Sequence, residues 1–509
     1  MPPELVVVDQ FQGMRRGLRT GFRSERRELD TPRDLRNAII DENGSLWIPP
    51  GPDEEIHSFT FSGADRLTTI VNITTPNTAI LYQVANQLYY LRTDSGSSGN
   101  MESLLDVETD YPIWVIEFGE NLYIGTEDKT WKVDDSWSAT ELSSDIPAGF
   151  HSYMYKGRRF VVVRNNRVYF SDLNEPENFG EESWFIVGGD DSGGSWATNP
   201  GSVTCLAEYD DYLVIFCTQS IWLFMGTTVD TFQLRRTNSL AGAWSRDSVV
   251  RVEGGILFFG GTPRGEMGVY MFGGGQANLV SDAVSAFFRR WDQVGRFQQD
   301  EDNFEQATKF IHAVRWNDNY ILSGETLRTT NMQAGDERQV FMYNFRTNTW
   351  TTFDGWMDGP RIALARLHPN TDALHVSKDN VVYSTQEAFC RAPGERARVL
   401  LGWSDHGHPA GHHRFLGVKL SGWRTSYDAP PPATVTLTAT TPEGVQVSDT
   451  RDIDTAVFDN LVFGLNLRGN AIDLEFIFEF DETDGDDTQL IIEQVQLIRS
   501  TKGEKLSRT

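Results

Sequence analysis

Asn165–Phe179 reads NNRVYFSDLNEPENF, a short strand core, Arg167–Phe170, broken by an Asp-Leu-Asn-Glu-Pro turn. This stretch decides the fold because variants of its core recur along the chain. A short alternating run, usually with Tyr or Trp after an aliphatic residue, stands at Leu88-Tyr89, Thr130-Trp131, Val168-Tyr169, Ile221-Trp222, Val269-Tyr270, Val340-Phe341 and Val382-Tyr383. Most of these follow a second strand-like run: Ala79–Tyr82, Asn121–Ile124, Phe160–Val163, Tyr212–Phe216, Ile256–Phe259, Tyr320–Leu322 and Leu374–Val376. Each pair reads as a hairpin. The cores lie about 40 to about 70 residues apart, and the typical spacing matches a four-stranded propeller blade. The sequence therefore predicts an all-β protein, a β-propeller of about seven blades. A pair of β-sandwiches would also use short strands with turn signals.

Composition agrees with many strands and loops. Aromatics make up 12% of the 509 residues, including 31 Phe and 14 Trp, and supply apolar area, while 45 Gly and 20 Pro supply turns. No early segment joins a basic start to an apolar run and a small-residue cleavage site. No stretch approaches the roughly 18–20 apolar residues that span a bilayer. Synthesis and folding in the cytosol are expected. Cys205, Cys217 and Cys390 are odd in number and lack metal-ligand spacing, so buried thiols are expected.

The formal charge of −27 bears on partners. Grip on nucleic acid comes from Lys and Arg neutralising phosphates, so sequence-specific DNA binding is not expected. Acidic walls do suit a conduit along which duplex DNA slides, because screening confines the repulsion to about 10 Å at 0.1 M salt.

Three regions follow: an N-terminal arm over 1–52, the propeller over 53–399, and a C-terminal antiparallel β-sandwich or sheet layer over 400–509. The arm is locally basic, with Arg15, Arg16, Arg19, Arg23, Arg26, Arg27, Arg33 and Arg36 among few acids. It suits an extension along its own propeller or a segment docking on an acidic neighbour. Within the propeller, Val280, Val284, Phe287, Phe288, Trp291 and Val294 recur near helical spacing after Ser281, a candidate cap, and predict a packed helix. Gln298–Gln306 is polar and acidic and reads as an exposed insertion. In the last region Ile472, Leu474, Phe476, Phe478 and Phe480 alternate with mostly acidic residues, a strand with one buried face. Leu490–Ile498, Val435–Leu437 and Leu461–Leu465 add strands, and Pro430–Pro432 marks a rigid turn.

Three constellations could carry chemistry. Asp191–Trp196 (DSGGSW) is similar to the Asp-box turn of sialidase-like propellers, although Gly189 stands where a hydroxyl residue is expected. Asp405, His406, His408, His412 and His413 could bind Zn²⁺ or titrate at a contact, but Gly407, Pro409, Ala410 and Gly411 enforce no face. The acidic turn at Asp481, Glu482, Asp484, Asp486 and Asp487 lacks the calcium-loop spacing. No GxSxG, HExxH, phosphate-binding glycine loop or CxxC occurs. No catalytic residue, metal site or cofactor is assigned. The candidate partner contacts are Arg15, Arg16, Arg19, Arg23, Arg26 and Arg27, with His406, His408, His412 and His413.

The order of segments resembles a family. Asn166–Phe179 (NRVYFSDLNEPENF), Asp211–Gly226 (DYLVIFCTQSIWLFMG), Gly255–Gln276 (GILFFGGTPRGEMGVYMFGGGQ) and Arg414–Gly422 (RFLGVKLSG) stand in the same order in the packaged-DNA stabilisation proteins, the tail hub or nozzle proteins of short-tailed bacteriophages. Such proteins often carry basic residues before the last segment, where this chain has His412 and His413. The resemblance implies a virion tail protein, a homo-hexameric ring below the portal and its head-to-tail adaptor. That ring extends and closes the DNA channel, retains packaged genome and opens on ejection, with a tail fibre, spike or needle as a further partner and no catalytic residue. The alternative is a propeller hydrolase or receptor-binding protein acting on host-surface carbohydrate. A pocket at the propeller axis lined by paired carboxylates and arginines would mark the hydrolase.

Overall fold

The computed structural model describes residues 5–11, 34–40, 45–49, 54–58, 67–75, 77–92, 101–109, 111–188, 201–288, 311–324, 340–353, 362–368, 371–378, 381–385, 396–401, 413–425, 433–453, 457–469, 471–480 and 489–501. The chain divides into two compact units. One comprises 56–332 and 358–386, the other 1–55, 333–357 and 387–509.

The first unit is a β-propeller. Blade 1 runs through Leu67–Ile73, Ala79–Val84, Gln87–Arg92 and Glu102–Asp106. Blade 2 runs through Trp114–Phe118, Asn121–Gly125, Thr130–Val133 and Ala139–Glu141. Blade 3 is His151–Tyr155, Arg158–Val163, Arg167–Phe170 and Trp184–Ile186. Blade 4 is Val203–Tyr209, Tyr212–Cys217, Ile221–Met225 and Gln233–Arg236. In blade 5 both Gly242–Ala243 and Val250–Val252 pair with Gly255–Gly261, followed by Met267–Phe272 and Ala277–Leu279. Blade 6 contributes His312–Trp316 and Asn319–Ser323. Blade 7 is Ile362–His368, Thr371–Lys378 and Val381–Thr385, completed by Glu54–Ser58 from the N-terminal side.

The blades pack in sequence order, and the first strand of blade 7 lies against the first strand of blade 1, which closes the ring. Apolar layers fill the gaps between blades. Leu81, Leu88, Leu122 and Trp131 join blades 1 and 2, Phe160, Phe170, Leu213 and Phe224 join 3 and 4, and Val214, Phe216, Phe258 and Phe272 join 4 and 5. The joint of blades 1 and 7 holds Ile80, Tyr82 and Val382. The paired runs read from the sequence are mostly the second and third strands of blades; the second strands are buried along nearly their whole length, and the third alternate buried with half-buried residues.

Blades 2 and 5 share a local device. The Trp114 ring covers Gly125 at the end of the neighbouring strand, where an added Cβ would lie 1.9 Å from the ring, and Trp244 covers Gly261 in the same way at 2.3 Å. Each indole N–H donates to a carbonyl, Trp114 to Gly149 at 2.6 Å and Trp244 to Thr218 at 3.1 Å.

The other unit has two sheets. In one, Ile39–Ile40, Leu46–Ile48, Gln489–Thr501, His413–Thr425 and Val457–Gly469 lie in that order, with Leu5–Phe11 also paired to Gln489–Thr501. In the second, Val340–Asn344, Thr349–Phe353, Asp34–Arg36, Ala397–Leu400, Asp473–Phe480, Ala433–Thr440 and Gln446–Ile453 follow one another. Leu474, Phe476 and Phe478 are buried while Glu475, Ile477 and Glu479 are partly exposed, the alternation read from the sequence.

The hairpin of Val340–Asn344 and Thr349–Phe353 groups with the second unit, and Thr349–Phe353 is buried along its whole length and takes Asp34–Arg36 as a parallel neighbour. Two expectations change. The described parts of the expected arm are strands of that unit too: Thr352 Oγ1 donates to the Leu35 carbonyl at 2.8 Å, and Asn37 Nδ2 to that of Arg396 at 2.8 Å. Arginine density revealed nothing of these partners, which lie hundreds of residues away. Of the candidate helix the described residues hold a 3₁₀ turn, Asp282–Val284, running into an α turn, Ser285–Phe288, and Trp291 and Val294 lie outside them. Ser281 does not cap it, since its Oγ accepts the Val269 N–H at 2.9 Å. Val284 and Phe288 are buried, as expected, and Phe288 meets the Phe259 ring at 5.7 Å.

Candidate functional site

A cavity of about 630 Å³ opens on one face of the propeller. Its walls are the turns joining second to third strands, Thr126–Lys129 and Val163–Asn166, the connections leading into blades at Val107–Thr109, Tyr111, Pro112, Phe150 and Ser202–Thr204, and the segment Trp244–Asp247 within blade 5. These loops come together because the blades radiate from a common axis.

Arg246 forms part of the wall and reaches from blade 5 to the opposite side of the ring. Its Nε meets Asp247 at 2.7 Å, Nη1 donates to the Phe150 carbonyl at 2.7 Å, and Nη2 donates to those of Pro112 and Ile113 at 3.0 and 3.1 Å. Below it, His151 Nδ1 accepts the Leu206 N–H at 2.9 Å. His151 is largely buried, with a small part of its surface accessible. Burial, helped by the Arg246 charge and opposed by Asp247, pushes the imidazole down to about 3.

Three of the four acids in the lining are engaged. Glu108 pairs with Lys129 at 2.9 Å, Asp247 with Arg246, and Glu127 with Arg164. The lining thus holds carboxylates and arginines, as expected of a hydrolase pocket, but Arg246 is committed to carbonyls and Asp247, and Arg164 to Glu127. These two arginines do not converge on a common ligand position.

Asn165–Phe179 builds part of this wall and the joint behind it. Asn165 and Asn166 take φ of 62° and 59°, the left-handed pair of a tight hairpin turn. Asn166 then ties blade 3 to the connection into blade 4: Oδ1 accepts the Val203 N–H at 2.8 Å and Nδ2 donates to Gly201 at 3.0 Å. The Asn-Glu-Pro-Glu-Asn-Phe segment returns to blade 2. There Glu177 meets Lys132 at 2.8 Å and the Tyr123 hydroxyl at 2.7 Å. Burial would raise the Glu177 carboxyl, but these partners hold it below its ordinary value.

Beneath that segment lies Arg159, which has no solvent exposure. Its guanidinium faces the rings of Trp114, Tyr123 and Phe179 at 5.0, 5.7 and 5.8 Å, and Nε donates to Ser152 Oγ at 3.1 Å. Burial draws its pKa down to about 10, against the pull of Tyr123 and Glu177. The signal for this buried cation was present in the sequence only as an arginine inside an apolar run.

Most candidate residues fall outside the described structure: Arg15, Arg16, Arg19, Arg23, Arg26, Arg27, Asp405, His406, His408 and His412, with the Asp191–Trp196 turn, Gln298–Gln306 and the acidic turn after Phe480. His413 opens the strand His413–Thr425. Cys205 and Cys217 are buried thiols, as expected, and Cys390 is outside the described residues. Among the described residues no His, Cys, Asp and Glu cluster could hold a metal ion, and no helix is long and apolar enough to cross a membrane.

No protein-family model matches the chain, and no curated protein matches it. Solved structures resemble it in fold. BamB from Moraxella catarrhalis is 10% identical, with 75% of this chain and 98% of that one covered at a TM-score of 0.35. The Pan2 WD40 domain of Neurospora crassa is 10% identical, covering 65% and 92% at 0.39. A chain of the Mitotic Checkpoint Complex is 12% identical, covering 65% and 100% at 0.36. The class of this protein, a β-propeller joined to an antiparallel β unit, rests on its own strand pairing.

Proposed function

We propose that this chain is a tail hub, or nozzle, subunit of a short-tailed bacteriophage. It is made in the host cytoplasm and built into the virion tail. Six copies form a ring below the portal and head-to-tail adaptor, continue the DNA channel, hold the packaged genome and open on ejection. A tail fibre, spike or needle attaches beyond. Order carries the reading: the segments resembling that family cover the third strand of blade 3, the second and third strands of blades 4 and 5, then the first part of the long strand His413–Thr425. The net charge of −27 supports a wall along which duplex DNA passes without adhering. A body held by backbone ladders and interblade aromatic layers suits a part that must resist a pressurised genome.

The test is particle mass by light scattering, alone and after mixing with the neck of the virion that encodes it, followed by negative-stain imaging. A ring on the adaptor is expected. A monomer that ignores the neck would overturn the reading. The axial cavity, with Glu108, Glu127, Asp128 and Arg164 in its lining, favours a second reading, a propeller acting on or binding host-surface carbohydrate. Release of sugar from host polysaccharide, lost on Glu127→Gln, would establish that one instead.

A further inference from the structure

The three long strands of the C-terminal unit, Gln489–Thr501, His413–Thr425 and Val457–Gly469, form a sheet whose two sides end differently from the other sheets. Outer strands elsewhere are short, as at Ala139–Glu141 and Trp184–Ile186, or charged, as at Gln446–Ile453 with Asp449, Arg451 and Asp452. Such features discourage a second chain from adding to the edge. Leu461–Gly469 (LVFGLNLRG) has neither Pro nor Lys. Among the described strands its only ladder partner is His413–Thr425, so every second residue turns its N–H and C=O outward. Val462 is 47% exposed, and a bulge with Asn466 at φ 51° is the one protective device. On the opposite side of the same sheet Leu5–Phe11 (LVVVDQF) also has one described ladder partner, Gln489–Thr501.

Accepting the ring reading above, we propose that Leu461–Gly469 of one copy pairs with Leu5–Phe11 of the next, so that these sheets join edge to edge around the ring. Strand direction fits. Each described pairing from Leu5–Phe11 through Gln489–Thr501 and His413–Thr425 to Val457–Gly469 is antiparallel, so the outermost strands run opposite ways. Joining one copy's last strand to the next copy's first continues the alternation without a parallel step. Level fits as well: Val6, Ser500, Arg414 and Arg468 stand in one row across the sheet. A head-to-tail contact of this kind uses two different edges, and it closes into a ring when the rotation between copies is right.

The full-length protein tests this, in two arms. In the first, Val462→Lys places a charge on the edge at an exposed position. We expect at least tenfold weaker ring formation by sedimentation, with an unchanged melting temperature. In the second, Val6→Cys and Arg468→Cys are combined in a Cys390→Ser background, and oxidation is expected to give a ladder of linked chains up to the ring. A wild-type ring that Val462→Lys leaves intact, or dimers formed by Arg468→Cys alone, would overturn the edge pairing while leaving the hub standing. A wild-type chain that forms no ring, alone or on the neck, would overturn both.

Discussion

The Arg246 guanidinium donates to the Pro112 carbonyl oxygen at 3.0 Å, so that a blade 5 side chain satisfies backbone on the connection between blades 1 and 2. Arg246 joins opposite sides of the ring at the wall of its axial cavity, and it does so as a charge-assisted donor, the stronger kind of hydrogen bond.

Replacing Arg246 by Met should therefore leave the carbonyls of Phe150, Pro112 and Ile113 to cavity water. Bonds to a charged group are worth roughly 1.5–3 kcal/mol each and do not add fully, so a loss of about 2–4 kcal/mol is expected in urea unfolding. Arg246→Lys should recover part of it. An unchanged midpoint for Met would mean that the cross-ring bonds contribute nothing.

The turn at Asn165 and Asn166 separates two effects. Asn165→Gly should be neutral or slightly stabilising, because glycine adopts φ above zero without strain. Asn166→Gly keeps that freedom but loses the bonds to Gly201 and Val203, and should cost about 1–2 kcal/mol. Equal effects at the two positions would refute the clamp.

Closure of the ring can be weakened at a single atom. The Tyr82 hydroxyl lies 3.1 Å from His375 Nδ1 at the buried joint of blades 1 and 7. Tyr82→Phe leaves a buried ring nitrogen unpaired, which costs about 1–3 kcal/mol. Limited proteolysis should then cut first near blades 1 and 7, and cleavage that begins in blades 3 to 5 would contradict this.

Acid should act through two histidines. Burial holds His151 down to about 3 and His375 to about 4, against an ordinary value of 6.5. The folded state thus refuses protons that the unfolded chain accepts, so stability is full above pH 6.5. It falls as the pH drops, toward about 4 for His375 and about 3 for His151. Each contributes a slope of about 1.4 kcal/mol per pH unit within its window. Measured between pH 7 and 5, His375→Leu should remove about half of the histidine slope. An identical pH profile would sink the assignment.

Cys205 and Cys217 should resist alkylation in the native protein at pH 8 and react after unfolding, as read by peptide mass. Both are buried, and burial pushes the Cys217 thiol up to about 12 and raises that of Cys205 as well. Rapid native labelling of either would show that blade 4 opens.

The repeat was legible in the sequence because the second strands of blades are buried on both faces, which leaves its mark on every residue of a short run, and the third strands that follow alternate buried with half-buried residues. The alternation in Asp473–Phe480 was legible for the same local reason, one wet face and one dry one. Tertiary structure alone decided the rest. The place of Thr349–Phe353 beside Asp34–Arg36 joins segments hundreds of residues apart, which no local pattern records. Arg246, Arg159 and the cavity walls were hidden because their partners are carbonyls and rings brought together from four blades. Sequence thus determined which segments are strands and which faces are buried. Closure of the chain on itself determined the company those strands keep, since backbone hydrogen bonds between distant segments carry no local code.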